Sequence, residues 1–249
     1  MIHARSVRLA AVAVLGGAVA LATSACGGPM QAGAAAVVQG QRTSDRDLQS
    51  DVAAYVRLAE ANGVAEPGST TDQERASLAN AQIGFLVQNA LWQKVADDLG
   101  VKIGADADAE LDSTLVQETR AAVGPQFHGS DNEAVALAFA KSQSANGLSP
   151  GLVPVFVHYQ ALIKAVIANQ AAKLHVAADT QDPTAAPALQ KAIVPMLDKA
   201  AKEIDVKISP RYGAFDAGRR QLVAADTSWI HPTQAQLDKA LSQMQQQPQ

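Results

Sequence analysis

The stretch Gly147-Leu148-Ser149-Pro150-Gly151 matches the G-x-S-x-G pattern of a serine hydrolase. That chemistry needs the serine on a sharp strand-to-helix elbow, with its hydroxyl exposed. Here the preceding segment reads as a helix, and Ser149 stands directly before a proline. An N-cap followed by proline at the first helical position explains both residues without a nucleophile. His128, His158, His175 and His231 are scattered, with no i, i+4 pair and no H-E-x-x-H. His158, next to Tyr159, reads as a satisfied interior or boundary polar group. Asp106, Asp108 and Glu110 suit the first turn of a helix, where the dipole favours carboxylates. Asp97 and Asp98 read as solvated, and no twelve-residue calcium frame is present. No catalytic residue, metal site or cofactor is expected, so enzymatic activity is not.

The residue with the clearest chemistry is Cys26, the single cysteine. It excludes an internal disulfide and a cysteine-built zinc site. Arg5 and Arg8 precede an apolar run from Leu9 to Ala22, of signal-peptide length and too short to span a bilayer comfortably. Thr23-Ser24-Ala25-Cys26 resembles a bacterial lipobox, with Thr23 where leucine is usual. The resemblance implies that residues 1–25 are removed and that Cys26 carries lipid. Each buried CH₂ contributes about 0.8 kcal/mol, so two or more acyl chains anchor firmly. The expected location is the outer face of the cell membrane.

The full chain carries a net charge of −4, and loss of the leader removes two further positive charges. Beyond Arg219-Arg220 there is no basic cluster, and aromatic residues make up only 4% of the chain. A nucleic-acid partner is therefore not expected.

The rest of the sequence is a series of helices. Residues 26–34 read as a flexible tether. Ala35–Gln39 reads as a strand before a turn at Gly40. Ser44 caps a helix with Leu48, Val52, Tyr55, Val56 and Ala59 on one stripe, closed by Asn62-Gly63. Thr71-x-x-Glu74 is a capping box opening the strongest helix, which runs to Leu99. Its apolar sector is wide, so partners are expected on more than one side. Shorter helices follow over Asp106–Arg120, from Ser130-x-x-Glu133 to Asn146-Gly147, and from Ser149 to about Leu174. Pro154 lies near the entry of the last of these. A linker-like stretch over residues 175–187 precedes a helix with Leu189, Ile193, Met196 and Leu197, which Pro195 either kinks or begins. Ile204, Val206 and Ile208 then alternate with polar residues, the period of a half-buried strand. The two strands flank all the main helices and are expected to pair, with Gln221–Ala224 as a possible third member. Trp229 follows. Residues 233–249 read as a short helix capped by Thr233-x-x-Gln236 and a disordered Gln-rich tail.

"AVVQGQRTSDRDLQ", residues 36–49, resembles the opening of the SurA/PrsA-type foldase N-terminal domain. "VKISPRYGAFD", residues 206–216, resembles the segment that closes it, through Val206, Ile208, Pro210, Arg211, Tyr212, Gly213, Phe215 and Asp216, with Ser209 in place of Asn. The resemblance spans residues 36 to about 230. It implies a mainly α domain over residues 35–232, with a small sheet formed from the two ends of the mature chain. The parvulin prolyl-isomerase domain of many relatives has no counterpart here, since too few residues separate Leu174 from Ile204.

The implied function is a membrane-tethered chaperone that binds unfolded or newly exported polypeptides. A scaffold docking one envelope partner, and a helical protein binding lipid or small molecules, are the rival readings. Phe85, Trp92, Phe139 and Phe156 are the expected groove residues, against the alternative that each is plain core. Arg211 is expected to pair with a carboxylate, with Tyr212 packed over the strands.

Overall fold

A computed structural model describes residues 32–142 and 147–225. The leader, Cys26, Trp229 and the expected Gln-rich tail lie outside the described residues.

The first strand, β1 (Ala34–Val38), begins one residue inside the expected tether. It turns at Gln39-Gly40 into β2 (Gln41–Ser44). Both turn residues have positive φ, 50° and 77°, as a two-residue hairpin with native twist requires. Ser44 then caps α1 (Asp45–Ala61), its Oγ accepting the Asp47 N–H at 3.0 Å. The capping box at Thr71 and Glu74 is complete and opens α2 (Asp72–Leu99), which Gly100 ends in the left-handed region. α3 (Ala105–Val123) and α4 (Asp131–Ser142) follow, the latter with a second box between Ser130 and Glu133. A 3₁₀ turn (Pro150–Leu152) leads into α5 (Val153–Leu174). α6 (Ala185–Glu203) contains Pro195 within its length, so the proline neither begins nor ends it. The chain closes with β3 (Val206–Ile208), β4 (Ala214–Asp216) and β5 (Gln221–Val223). Among the described residues the protein is therefore mainly helical, with small antiparallel sheets.

Ile83, Val87, Leu91 and Val95 form the buried spine of α2 and are almost fully enclosed. Burying each such side chain contributes about 1.5–3 kcal/mol. α2 packs against α1, α5 and α6, as its wide apolar sector requires. α5 is apolar and long enough to cross a membrane by composition alone. In this fold that surface is covered in part by α2, α3, α4 and α6.

β1 is the central strand of a three-stranded sheet in the order β2-β1-β3. The ends meet in antiparallel register, with Ala36 opposite Ile208, Val37 opposite Lys207 and Val38 opposite Val206. Backbone bonds extend the ladder at both ends: Gln39 N–H to Asp205 O and Ser209 N–H to Ala35 O, each 2.8 Å. The third strand is not the expected one. β5 pairs with β4 in a separate hairpin, and β2 takes the place beside β1. Gln41-Arg42-Thr43-Ser44 carries no apolar residue, so it has no alternation to betray it; the Gln39-Gly40 turn folds it back.

Candidate functional site

A groove of about 630 Å³ opens between the first hairpin and two helices. One wall is the β1–β2 hairpin, through Val38, Gln41 and Thr43. The second wall is a single stripe of α2, running from Leu86 through Ala90 and Gln93 to Asp97. The third is the start of α5, with Pro154, Val155 and His158. Pro154 sits at the second helical position, where its missing N–H leaves no gap in the helix.

The polar end of the groove is tightly arranged. His158 Nδ1 lies 3.0 Å from Asp108 Oδ2, and its Nε2 lies 3.2 Å from Gln93 Oε1. The Gln93 amide nitrogen donates to Asp97 Oδ1 at 2.9 Å, which turns its oxygen toward the imidazole. Both ring nitrogens thus face acceptors, and whichever nitrogen carries the ring N–H has one to donate to. Asn89 Oδ1, on the groove wall, is buried with no hydrogen-bond partner. An enclosed acceptor of this kind favours a ligand that brings an N–H or O–H.

Asp97 and Asp98 are exposed to solvent, as expected, and Asp98 also has partners. Asp98 holds Lys94 and Lys199, the latter at 2.8 Å, while Lys94 also reaches Glu203 at 2.9 Å. The hydrogen bonds from Lys199 and then Lys94 hold the Asp98 carboxyl below the usual carboxylate range. This network fastens the end of α2 to α6, and its Lys94 also lines the groove.

The four aromatic residues expected in a groove are absent from this one. Phe85, Phe139 and Phe156 gather in a second core between α2, α4 and α5, with Phe139 and Phe156 edge to face at 4.9 Å. Trp92 packs between the first and third cores instead. Tyr159 joins the two groups: it meets Phe85 edge-on at 5.4 Å and is hydrogen-bonded to Trp92. Burial pushes the Tyr159 phenol up. Phe85 and Phe156 do line a smaller, apolar cavity of about 120 Å³. The groove residues escaped sequence reading because Gln93, Asn89 and Gln41 are common surface types with no diagnostic spacing. His158 was visible, but its partners lie 50 and 65 residues away.

Ser149 is fully buried at the start of the 3₁₀ turn, and its hydroxyl does not cap that turn as its position predicts. It faces inward against Asp51, whose carboxyl burial pushes up, with the Asp47 charge adding to the shift and Ser149 opposing it. A strand-to-helix elbow is not formed there. Among the described residues no group of three or more His, Cys, Asp or Glu is placed to hold a metal.

The closing motif is ordered by α1. Arg211 pairs with Asp45 at 3.1 Å and lies over the Tyr212 ring. Tyr212 is buried, donates to the same carboxylate, and accepts from Gln49 Nε2 at 2.8 Å. Pro210 follows β3, and Gly213 occupies a φ of +113°.

Comparison with known protein families, curated proteins and solved structures finds no match to this chain.

Proposed function

We propose that this chain is a membrane-tethered, extracytoplasmic lipoprotein of the SurA/PrsA foldase type, without an isomerase, that holds unfolded or newly exported polypeptides in extended form. The observation that carries this reading is the free edge of β2 on one wall of the groove. β2 pairs with β1 alone, so its outer backbone groups are available to an added strand. The facing walls supply apolar contact through Leu86, Ala90 and Val155, and an unpartnered acceptor at Asn89. A volume of about 630 Å³ suits a few side chains of an extended segment rather than a folded partner. Main-chain bonding gives weak affinity with little sequence preference, which is what a holding chaperone needs.

The test is suppression of aggregation of several unrelated unfolded proteins, followed by light scattering. Broad suppression by the full chain supports the reading. Action on one protein alone favours the dedicated scaffold, and a lipid retained in the purified protein favours the lipid-binding alternative.

A further inference from the structure

The 120 Å³ cavity shares no lining residue with the groove. Gln82 and Phe85 of α2 line it together with Leu148, Leu152 and Phe156. Gln82 is only 2% exposed, and its amide nitrogen donates to Gly147 O at 2.8 Å. A carbonyl oxygen only accepts, so this bond fixes which way the amide faces. Oε1 is left as a buried acceptor with no partner among the described residues. Leaving such an acceptor unpaired is unfavourable. A lone water serves it poorly, because a buried water needs about three polar contacts and the other lining side chains are apolar.

The occupant such a lining recognises is apolar over its body and carries a single donor. Phe85 and Phe156 both face the cavity, and offset or edge-on ring pairs gain more than their buried area alone supplies. The volume is close to the roughly 150 Å³ of an engineered apolar cavity that accepts benzene, so it suits one six-membered ring. A hydroxyl is the smallest donor that such a ring carries. We propose that this cavity is a binding site for a monocyclic phenol, its O–H donating to Gln82 Oε1 and its ring lying against Phe85 and Phe156. A free small phenol and the tyrosine side chain of a bound polypeptide present this same chemistry. The site stands apart from the groove and from polypeptide binding there, so the two readings fail independently.

The experiment titrates the full chain with phenol itself by calorimetry, with toluene and anisole as probes of similar shape that have no donor. Toluene leaves water more readily than phenol does, so a cavity without the acceptor takes toluene first. The expected result is phenol binding several-fold tighter than either. Phenol should shift the methyl resonances of Leu148 and Leu152 and leave those of Leu86 and Val155, in the groove, unmoved. Gln82→Leu replaces the acceptor with an apolar side chain and is expected to reverse the order in favour of toluene. That change also removes the bond to Gly147, so the parent chain's preference for phenol over anisole serves as the measure that needs no variant. Toluene or anisole binding as tightly as phenol in the parent overturns the inference. A phenol preference that survives Gln82→Leu overturns it too, as does the lack of any shift at Leu148 and Leu152. Displacement of phenol by N-acetyltyrosinamide assigns the ring to a tyrosine of a bound polypeptide, and failure to displace it assigns the ring to a free phenol; either upholds the site.

Discussion

Tyr212 donates its phenolic O–H to the carboxylate of Asp45, 167 residues earlier in the chain. Asp45 is the first residue of α1, and Arg211 holds the same carboxylate. The start of α1, which follows the opening hairpin, and the segment that closes the domain therefore share one anchor. A hydrogen bond to a charged group contributes about 1.5–3 kcal/mol. Tyr212→Phe is expected to lower unfolding free energy by about that amount, measured by urea denaturation. Burial, with the Asp45 hydrogen bond second, pushes the Tyr212 phenol up. The stability it carries is complete below the ordinary phenol pKa and is lost as pH rises through the higher folded value. The Tyr212→Phe deficit should accordingly shrink in strong alkali.

Gly213 combines a φ of +113° with a close approach: a Cβ there would lie 2.4 Å from the carbonyl oxygen of Val223. That oxygen belongs to β5, so an added methyl group must push β4 and β5 apart. Gly213→Ala is expected to cost about 2 kcal/mol or more, read by thermal denaturation, with hydrogen exchange accelerated first at residues 214–223.

Much of this architecture was legible in local chemistry. Ser44, Thr71, Ser130 and Gly100 mark helix ends by their own hydrogen bonds or backbone angles, and those ends fall where the residues put them. The alternation around Val206 revealed β3, and the pairing of the two ends followed because a lone strand cannot satisfy its backbone. β2 was hidden because it is polar on both faces. β5 was visible as a strand, but not its partner, since Ala214-Phe215-Asp216 is too short to show a period. The groove was illegible for a related reason. Its walls are surface-type residues from three separate elements, and its polar end exists only where α2, α3 and α5 converge. The aromatic residues stood out by type, yet type does not distinguish core from cleft.

The Lys94–Asp98–Lys199–Glu203 network is expected to steady the end of α2 against α6 near neutral pH. Lysine hydrogen bonds hold Asp98 and Glu203 below the usual carboxylate range. Carboxylate hydrogen bonds raise Lys94 and Lys199. The carboxylates contribute above the ordinary carboxylate pKa and lose that contribution as pH falls through their lowered values. The lysines contribute below the ordinary lysine pKa and lose it as pH rises through their raised values. Lys199→Ala should therefore reduce the melting temperature slightly at neutral pH. The difference should vanish in acid below the depressed carboxylate range, and also in molar salt, where screening shortens to about 3 Å.

Cys26 is expected to set location rather than fold. Cys26→Ser should shift the protein from the membrane fraction to the soluble extracytoplasmic fraction and abolish incorporation of labelled palmitate. The circular dichroism of the purified chain should not change. Retention in the membrane fraction would place the anchor elsewhere.

The central claim is that extended polypeptide lies in the groove beside β2, and site-specific photocrosslinking tests it most directly. A benzophenone residue is placed at Val155, on the groove wall, and separately at Ser77 on α2, outside the groove. Each full-length variant is irradiated with several unrelated unfolded proteins. The account predicts adducts with all of them from position 155, few from position 77, and loss of the 155 adducts when Leu86→Glu places a charge on the opposite wall. Equal crosslinking from the two positions, or none from 155, would contradict it.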